Sequence, residues 1–486
     1  MSPGQERRLF ERGRQERASP RKAIKAAGGY ILGLMSAHFV SRREVLKLLS
    51  LPPLLSSPGM SEDSAGRTAW YRAAKFGMFI HWGPYSLASV EASWPIMRPD
   101  TGKPNYISEA DYRKLPSRFN PVKFDPHAFI RLARAAGQRY MVFTTKHHDG
   151  FCMFDSHYTN YKITRTPYGK DIVKQLADAC REEGMRLGFY YSPPDMNHPG
   201  FRDTSRPASE NWDGQPERPE WPLYLDYMSL QLSELLTRYG PAALIWFDGL
   251  RDQGKYDGQR FLKLIHELQP ATLVNNRIGA PGDYETPEQF IPKAIPTRHV
   301  RILGTDPASA GALAAGVPKP EDFRLWETCM TINNTWAYNK HDRHFKSSTQ
   351  LIRNLVEVAS RGGNFLLNVG PEPDGTIQPE FEERLRAIGK WLDRNGEAIY
   401  GTTYGPLQGL PSCRTTARGA DVFLHILDWP GPTLALPAKG LPQLRSASLL
   451  DSGAPIEYRQ DEQKLTLQLP AAAPGKDVTV IALRAA

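Results

Sequence analysis

The chain has 486 residues, 40% hydrophobic and 23% charged, which is enough apolar material for more than one core and too much for a disordered polypeptide. Its formal charge of +9 is unevenly placed: residues 1–60 hold 11 Lys/Arg against 4 Asp/Glu, a net of +7, leaving +2 for the other 426. A body so nearly neutral has no basic stripe for phosphates, so nucleic acid is excluded as a partner.

Residues 1–60 read as a basic leader. Ser41-Arg42-Arg43-Glu44-Val45-Leu46-Lys47 precedes the apolar residues 48–55 and a small-residue tail, which predicts a twin-arginine export signal, with Met35 as an alternative start. No apolar run reaches the 18 residues of a membrane span. The mature protein is therefore expected in the periplasm or outside a bacterial cell, without stable membrane insertion, and oligomerisation stays open. Cys152, Cys180, Cys329 and Cys413 are too few and too dispersed for a disulfide framework or structural zinc, although export leaves one pairing open.

From 61 to 400, β-prone runs alternate with helical periodicity, which predicts a parallel sheet and an α/β fold. The strand-like runs end in His81 and Trp82, in Lys146-His147-His148-Asp149, in Tyr190-Tyr191-Ser192 and in Asp248-Gly249. Helical spacing links Phe129, Leu132, Ala133 and Ala136, then Ile172, Leu176, Ala179 and Cys180, and continues through 223–239 and 261–268. The run 243–249 is the most informative, because an apolar strand there delivers one carboxylate to a glycine turn, where α/β barrels collect active-site side chains. Asp at such a place is commonly a turn residue, so the weight rests on several polar strand ends converging. Residues 304–320, rich in Ala, Gly and Pro, are expected as a surface excursion. Beyond 401, short β-prone runs at 421–427, 464–469 and 477–483 between Pro/Gly turns predict an antiparallel sandwich.

Together these segments resemble the α-L-fucosidases of glycoside hydrolase family 29. The resemblance rests on Phe76-Gly-Met-Phe-Ile-His81-Trp-Gly-Pro-Tyr-Ser86, Thr145-Lys-His147-His148-Asp-Gly-Phe151, Gly188-Phe-Tyr190-Tyr-Ser192, Trp246-Phe-Asp248-Gly, Asp283-Tyr-Glu-Thr-Pro-Glu288-Gln and Asn364-Phe-Leu-Leu-Asn-Val-Gly-Pro371, in the family's order across residues 68–400. It implies an irregular (β/α)8 TIM-like barrel over 61–400, a small C-terminal antiparallel β-sandwich over 401–486, a retaining mechanism, and neither cofactor nor metal. The implied substrate is the terminal α-L-fucose of an oligosaccharide or glycoconjugate. Two alternatives are an α-L-galactosidase-type hydrolase and a catalytically silent carbohydrate-binding protein.

Retention needs an ionised carboxylate to attack the anomeric carbon and a protonated carboxyl to release the leaving oxygen, about 5 Å apart. By its match to the family, Asp248 takes the first role and Glu288 the second, with Glu285, Glu91 and Glu327 as rivals. By resemblance His81, His147, His148, Tyr190 and Arg277 contact the glycone or steady the nucleophile. Trp326 is expected as the apolar wall for the C6 methyl group, and Trp94 as a ring facing the sugar. Where many members carry Glu-Trp after the first strand, this chain has Glu91-Ala-Ser93-Trp94, so a recognition carboxylate is lost or moved to Glu91. Trp336 and Trp391 are expected in the core. A metal reading of His147-His148-Asp149 is disfavoured, since consecutive strand residues point to opposite faces.

Overall fold

The structure, a computed structural model, describes residues 63–98, 106–249, 253–302 and 304–486; the leader with Arg42 and Arg43 lies outside them. Seven parallel strands form one sheet: β1 (Phe76–Ile80), β2 (Tyr140–Lys146), β3 (Arg186–Tyr191), β4 (Leu244–Phe247), β5 (Leu273–Val274), β6 (Glu327–Thr331) and β7 (Asn364–Val369). Their order is β5-β4-β3-β2-β1-β7-β6. Both faces are covered, which is why these strands read as continuous apolar runs rather than alternating ones. Phe79, Val142, Tyr190, Trp246, Cys329 and Leu366 fill the lumen. Their chain neighbours Met78, Met141, Phe189, Phe247, Met330 and Leu367 pack outward against the helices.

β5 and β6 do not pair directly. The chain between them supplies the missing stave through isolated parallel bridges from Tyr284 to Asn275, Glu285 to Trp326 and Glu288 to Cys329. This closes an eight-membered ring whose eighth member is irregular and follows β5 without an intervening helix.

Outside the ring lie α1 (Asp63–Ala74), α2 (Pro126–Ala135), α3 (Ile172–Glu183), α4 (Trp221–Arg238), α5 (Gly258–Leu268), α6 (Ser348–Ala359) and α7 (Pro379–Asn395). Asp125, Asp171, Asp257 and Ser347 start four of them, each side chain accepting a backbone N–H of the first turn. The tract after Gly304 is a mostly exposed excursion with one 3-10 turn at Pro307–Ala310. All four cysteines are buried and free.

Antiparallel strands begin at Thr403. Thr403–Tyr404, Cys413–Arg418, Asp421–Ile426, Leu444–Leu449 and Thr479–Ala485 form a five-stranded sheet, and Thr433–Pro437, Tyr458–Gln460 and Lys464–Gln468 a three-stranded one. Leu424, Ile481 and Leu483 of the first share a core with Leu436, Leu465 and Leu467 of the second, which makes the pair a sandwich. Trp391 of α7 is a joint, its indole donating to the Val478 carbonyl at 2.8 Å. No helix among the described residues is long and apolar enough to cross a membrane.

α7 also packs closely on α2. A Cβ added at Gly389 would stand 1.8 Å from the Ala135 carbonyl oxygen, a backbone atom that cannot swing away. Gly389→Ala should therefore cost about 1–3 kcal/mol, the scale of overpacking, despite the better helix propensity of Ala. Thermal unfolding reads this directly; an unchanged or raised midpoint would show that the two helices separate freely.

Candidate active site

Asp248 follows β4 and turns inward because it keeps the parity of Leu244 and Trp246. It is buried yet heavily solvated by the protein. Arg277 Nη1 donates to its Oδ1 at 2.9 Å, the Tyr190 hydroxyl donates to Oδ2 at 2.7 Å, and His148 Nε2 stands 3.4 Å from Oδ2. Burial pushes this carboxyl up, but the charge of Arg277 and the two hydrogen bonds outweigh it and hold the pKa below the usual Asp range.

Glu288 ends the irregular stave. The same Arg277 Nη1 donates to its Oε2 at 2.7 Å, so the two carboxylate oxygens can be no farther apart than the two bonds end to end, 5.6 Å. That upper limit is close to the roughly 5–5.5 Å of a retaining pair and below the roughly 6.5 Å or more at which an inverting water fits. Burial raises the Glu288 pKa, Arg277 draws it down, and the charge of Asp248 adds to the rise, which prevails. Two carboxyls on one guanidinium are thus pushed in opposite directions. Gln289 follows at φ 61°, a left-handed turn for a non-glycine residue, with its N–H on the Cys329 carbonyl.

Arg277 is itself immobilised. Its Nε donates to Thr286 Oγ1 and its Nη2 to the Thr286 carbonyl, both at 2.8 Å, and its guanidinium carbon lies 4.6 Å from the centre of the Trp246 ring. The rival carboxyls have other partners. Glu285 is bound by Arg324, Asn276 and the Ile302 N–H, and Glu91 accepts the Trp336 N–H. Burial pushes Glu91 up to about 8 and Glu327 up to about 7, against hydrogen bonds that favour ionisation, but neither lines the cavity.

That cavity is lined by Phe79, His81, Trp94, His147, His148, Trp246, Asp248, Glu288, Cys329 and Trp336. Tyr190 and Arg277 stand behind Asp248. His81 Nδ1 lies 2.7 Å from Asn368 Oδ1, whose amide nitrogen is spent on the Trp336 carbonyl, so Nδ1 carries the proton and Nε2 is left as an acceptor. Ser192 donates to the Pro194 carbonyl and so must accept from His148 Nδ1 at 2.6 Å, which again leaves Nε2 bare. Burial holds both imidazoles near pKa 4, against the pull of Asp248 on each, so both are neutral acceptors for hydroxyl groups. His147 rests on Ser93 at 2.6 Å and stacks on Tyr190.

Three sequence expectations change here. Trp326 points outward: its indole donates to the Arg361 carbonyl and packs over Gly363, because it is three residues from Cys329 and takes the opposite parity. Trp336, expected in the core, lines the cavity instead, carried there by the loop that Glu91 and Asn368 grip. His147 and His148 do converge, with ring centres 4.2 Å apart, because a register shift after Thr144 and the turn past Lys146 end the strand alternation. With Asp248 they place three donor atoms within 4.8 Å of one another. Arg277, 2.9 Å from that carboxylate, would oppose a dication there, so the set is suited to hydrogen bonding rather than to a metal. The sequence reading also missed Ser93, Ser192 and Asn368. Asn368 was accessible through strand parity, since it follows Leu366 on the lumen face of β7.

Comparison with known proteins agrees with this geometry. A family profile for α-L-fucosidases matches residues 56–397. Among curated proteins, the tissue α-L-fucosidase of Bos taurus is 30% identical over 78% of this chain and 79% of its own, and the plasma α-L-fucosidase of Homo sapiens 30% identical over 84% and 87%. Among solved structures, α-L-fucosidase isoenzyme 1 from Paenibacillus thiaminolyticus superposes with a TM-score of 0.74 at 35% identity, covering 87% of this chain and 99% of its own. A Bacteroides thetaiotaomicron α-L-fucosidase trapped as a covalent intermediate with 2-fluoro-fucosyl fluoride gives 0.73 at 26% identity, covering 89% and 99%.

The Tyr190 hydrogen bond favours the charged form of Asp248, so removing its hydroxyl should raise that pKa toward the ordinary value. A rate that needs Asp248 ionised then falls off at higher pH. Tyr190→Phe should move the acid limb of kcat/KM upward by about one pH unit. A limb that stays in place would show that Arg277 alone sets the ionisation.

Proposed function

The chain belongs to the α-L-fucosidase family, a glycoside hydrolase family, and from that premise we propose that it is a retaining exo-α-L-fucosidase with Asp248 as nucleophile and Glu288 as acid/base. The observation that carries the assignment is Arg277 Nη1 held between the two carboxylates at 2.9 and 2.7 Å. In the first step Asp248 attacks the anomeric carbon while Glu288 protonates the glycosidic oxygen, and the covalent glycosyl-enzyme forms as the aglycone leaves. Esterification removes the Asp248 charge that helped hold the Glu288 pKa up. Arg277 then draws Glu288 toward ionisation, which suits it to take the proton of the attacking water.

Neutral His81 and His148 offer Nε2 to sugar hydroxyls. The rings of Phe79, Trp246 and Trp336 supply an apolar surface fitted to the C6 methyl group in place of the one expected from Trp326. That apolar lining favours a fucoside over an α-L-galactoside, whose C6 hydroxyl would lie unpaired there. The substrate class is a fucosylated oligosaccharide or glycoconjugate.

The pair of carboxylates is tested by labelling and rescue. A 2-fluoro fucosyl fluoride should label the wild-type peptide containing Asp248 and leave Asp248→Gly unlabelled and slower by orders of magnitude. Glu288→Ala should retain far more activity on activated aryl fucosides than on natural linkages, and azide should restore its second step. Labelling of another carboxylate, or this pattern in Glu285→Ala instead, would remove the assignment.

The Arg42-Arg43 pair followed by an apolar stretch supports export through the twin-arginine route to the periplasm or beyond. The mature amino terminus should then lie after Leu55, read by terminal sequencing of the secreted protein. An active intracellular form that keeps Arg42, in cells with a working twin-arginine pathway, would refute it.

A further inference from the structure

Glu327 is a fully buried carboxyl in the barrel lumen that the two-carboxylate mechanism does not use. It opens β6, two residues before Cys329, just as Trp246 on β4 comes two residues before Asp248. Glu327 therefore sits one side-chain layer, roughly 7 Å, below the cavity, while the large Trp246 ring reaches up from the same layer to line it. Its two oxygens accept from two strands across the lumen: Oε1 from the Trp246 indole N–H of β4 at 3.0 Å, and Oε2 from the Tyr140 hydroxyl of β2. An aliphatic side chain would fill this place at a smaller desolvation cost, so what the carboxyl supplies is direction.

Trp246 is where that direction reaches the chemistry. Arg277 lies over one part of the Trp246 ring at 4.6 Å, and Tyr190 stacks on it with centres 5.7 Å apart and planes 14° apart. These are the two residues that donate to Asp248 at 2.9 and 2.7 Å. An indole that rotates or slides would move both donors at once. A displacement of about 1 Å at catalytic groups costs on the order of a hundredfold in rate.

We propose that Glu327 is a positioning residue of this active site: by accepting the Trp246 N–H from the layer below, it fixes the aromatic plane on which Arg277 and Tyr190 hold Asp248 in line. The inference rests on the reading of Asp248 as nucleophile. It concerns hydrogen-bond geometry rather than charge, and that distinction makes it testable. A glutamine can still accept the Trp246 N–H through its amide oxygen while its amide N–H turns to the Tyr140 oxygen, whereas leucine offers Trp246 nothing.

The experiment compares Glu327→Leu and Glu327→Gln in the full-length enzyme, well below the melting temperature of each. Glu327→Leu should lower kcat on an aryl α-L-fucoside about tenfold or more with KM within about twofold, and should slow labelling of Asp248 by 2-fluoro-fucosyl fluoride by a similar factor. Glu327→Gln should restore kcat to within about threefold of wild type. Wild-type turnover in Glu327→Leu, or equal losses in the two variants, would overturn the inference. Should Glu327→Leu fail to fold, Trp246→Phe removes the same N–H from the other side and must show the same loss of kcat, and normal turnover there overturns it equally. Labelling of the wild type separates the two readings. If wild type labels at Asp248 while Glu327→Leu turns over normally, only this inference falls; if wild type labels elsewhere, the nucleophile assignment falls first.

Discussion

A single guanidinium nitrogen shared by two buried carboxyl groups is the interaction on which the site depends. Two carboxyls this close and this deep would ordinarily both be driven neutral by burial and mutual repulsion. Arg277 breaks the symmetry, because Asp248 also collects the Tyr190 hydroxyl while Glu288, among the described residues, accepts from Arg277 alone. Donor count, not residue type, decides which carboxyl is ionised. The arginine is a suitable bridge because it stays charged when buried and its planar fork can be held at several corners at once. Here Thr286 holds two of them and Trp246 lies beneath.

The irregularity of the barrel follows from the same need. A regular eighth strand would carry a full ladder between β5 and β6, whereas this stave touches its neighbours only at isolated bridges and turns left-handed at Gln289. Arg277 and Thr286 lie at the two ends of that short excursion, so their bonds to one another tie the stave to the ring. Glu288 is thereby carried to within 2.7 Å of the residue that also binds Asp248, from a segment with no strand pattern of its own.

A second layer of polar residues keeps the first in order. Asn368, Ser192 and Ser93 each take one ring nitrogen of His81, His148 and His147, so the orientation of every imidazole is set from behind. Because the networks at Asn368 and Ser192 end on backbone carbonyls, the protons on His81 and His148 have one consistent arrangement, and the free nitrogens that face the cavity are acceptors. Burial keeps these rings neutral, which suits them to hydroxyl groups rather than to an anion.

The sequence by itself determined the alternation of strands and helices, the antiparallel region after residue 400, and the delivery of Asp248 to the end of an apolar strand, because each is a local pattern: a short apolar or β-prone run, a turn signal, or a period of 3.6. His81 and Tyr190 were legible as polar or aromatic ends of such runs, and the family resemblance supplied their roles. Only the tertiary structure decided which tryptophan faces the cavity: Trp326, just before β6, is set outward by its parity relative to Cys329, and Trp336 is brought in by a loop held by Glu91 and Asn368, partners 245 and 32 residues away in the chain. It also decided that His147 and His148 converge, since a strand end escapes the alternation that governs its middle. The pKa order of Asp248 and Glu288 was hidden for the same reason, because it depends on how many donors reach each carboxyl, and those donors come from β3 and the Arg277 turn, which are neighbours only once the barrel has closed.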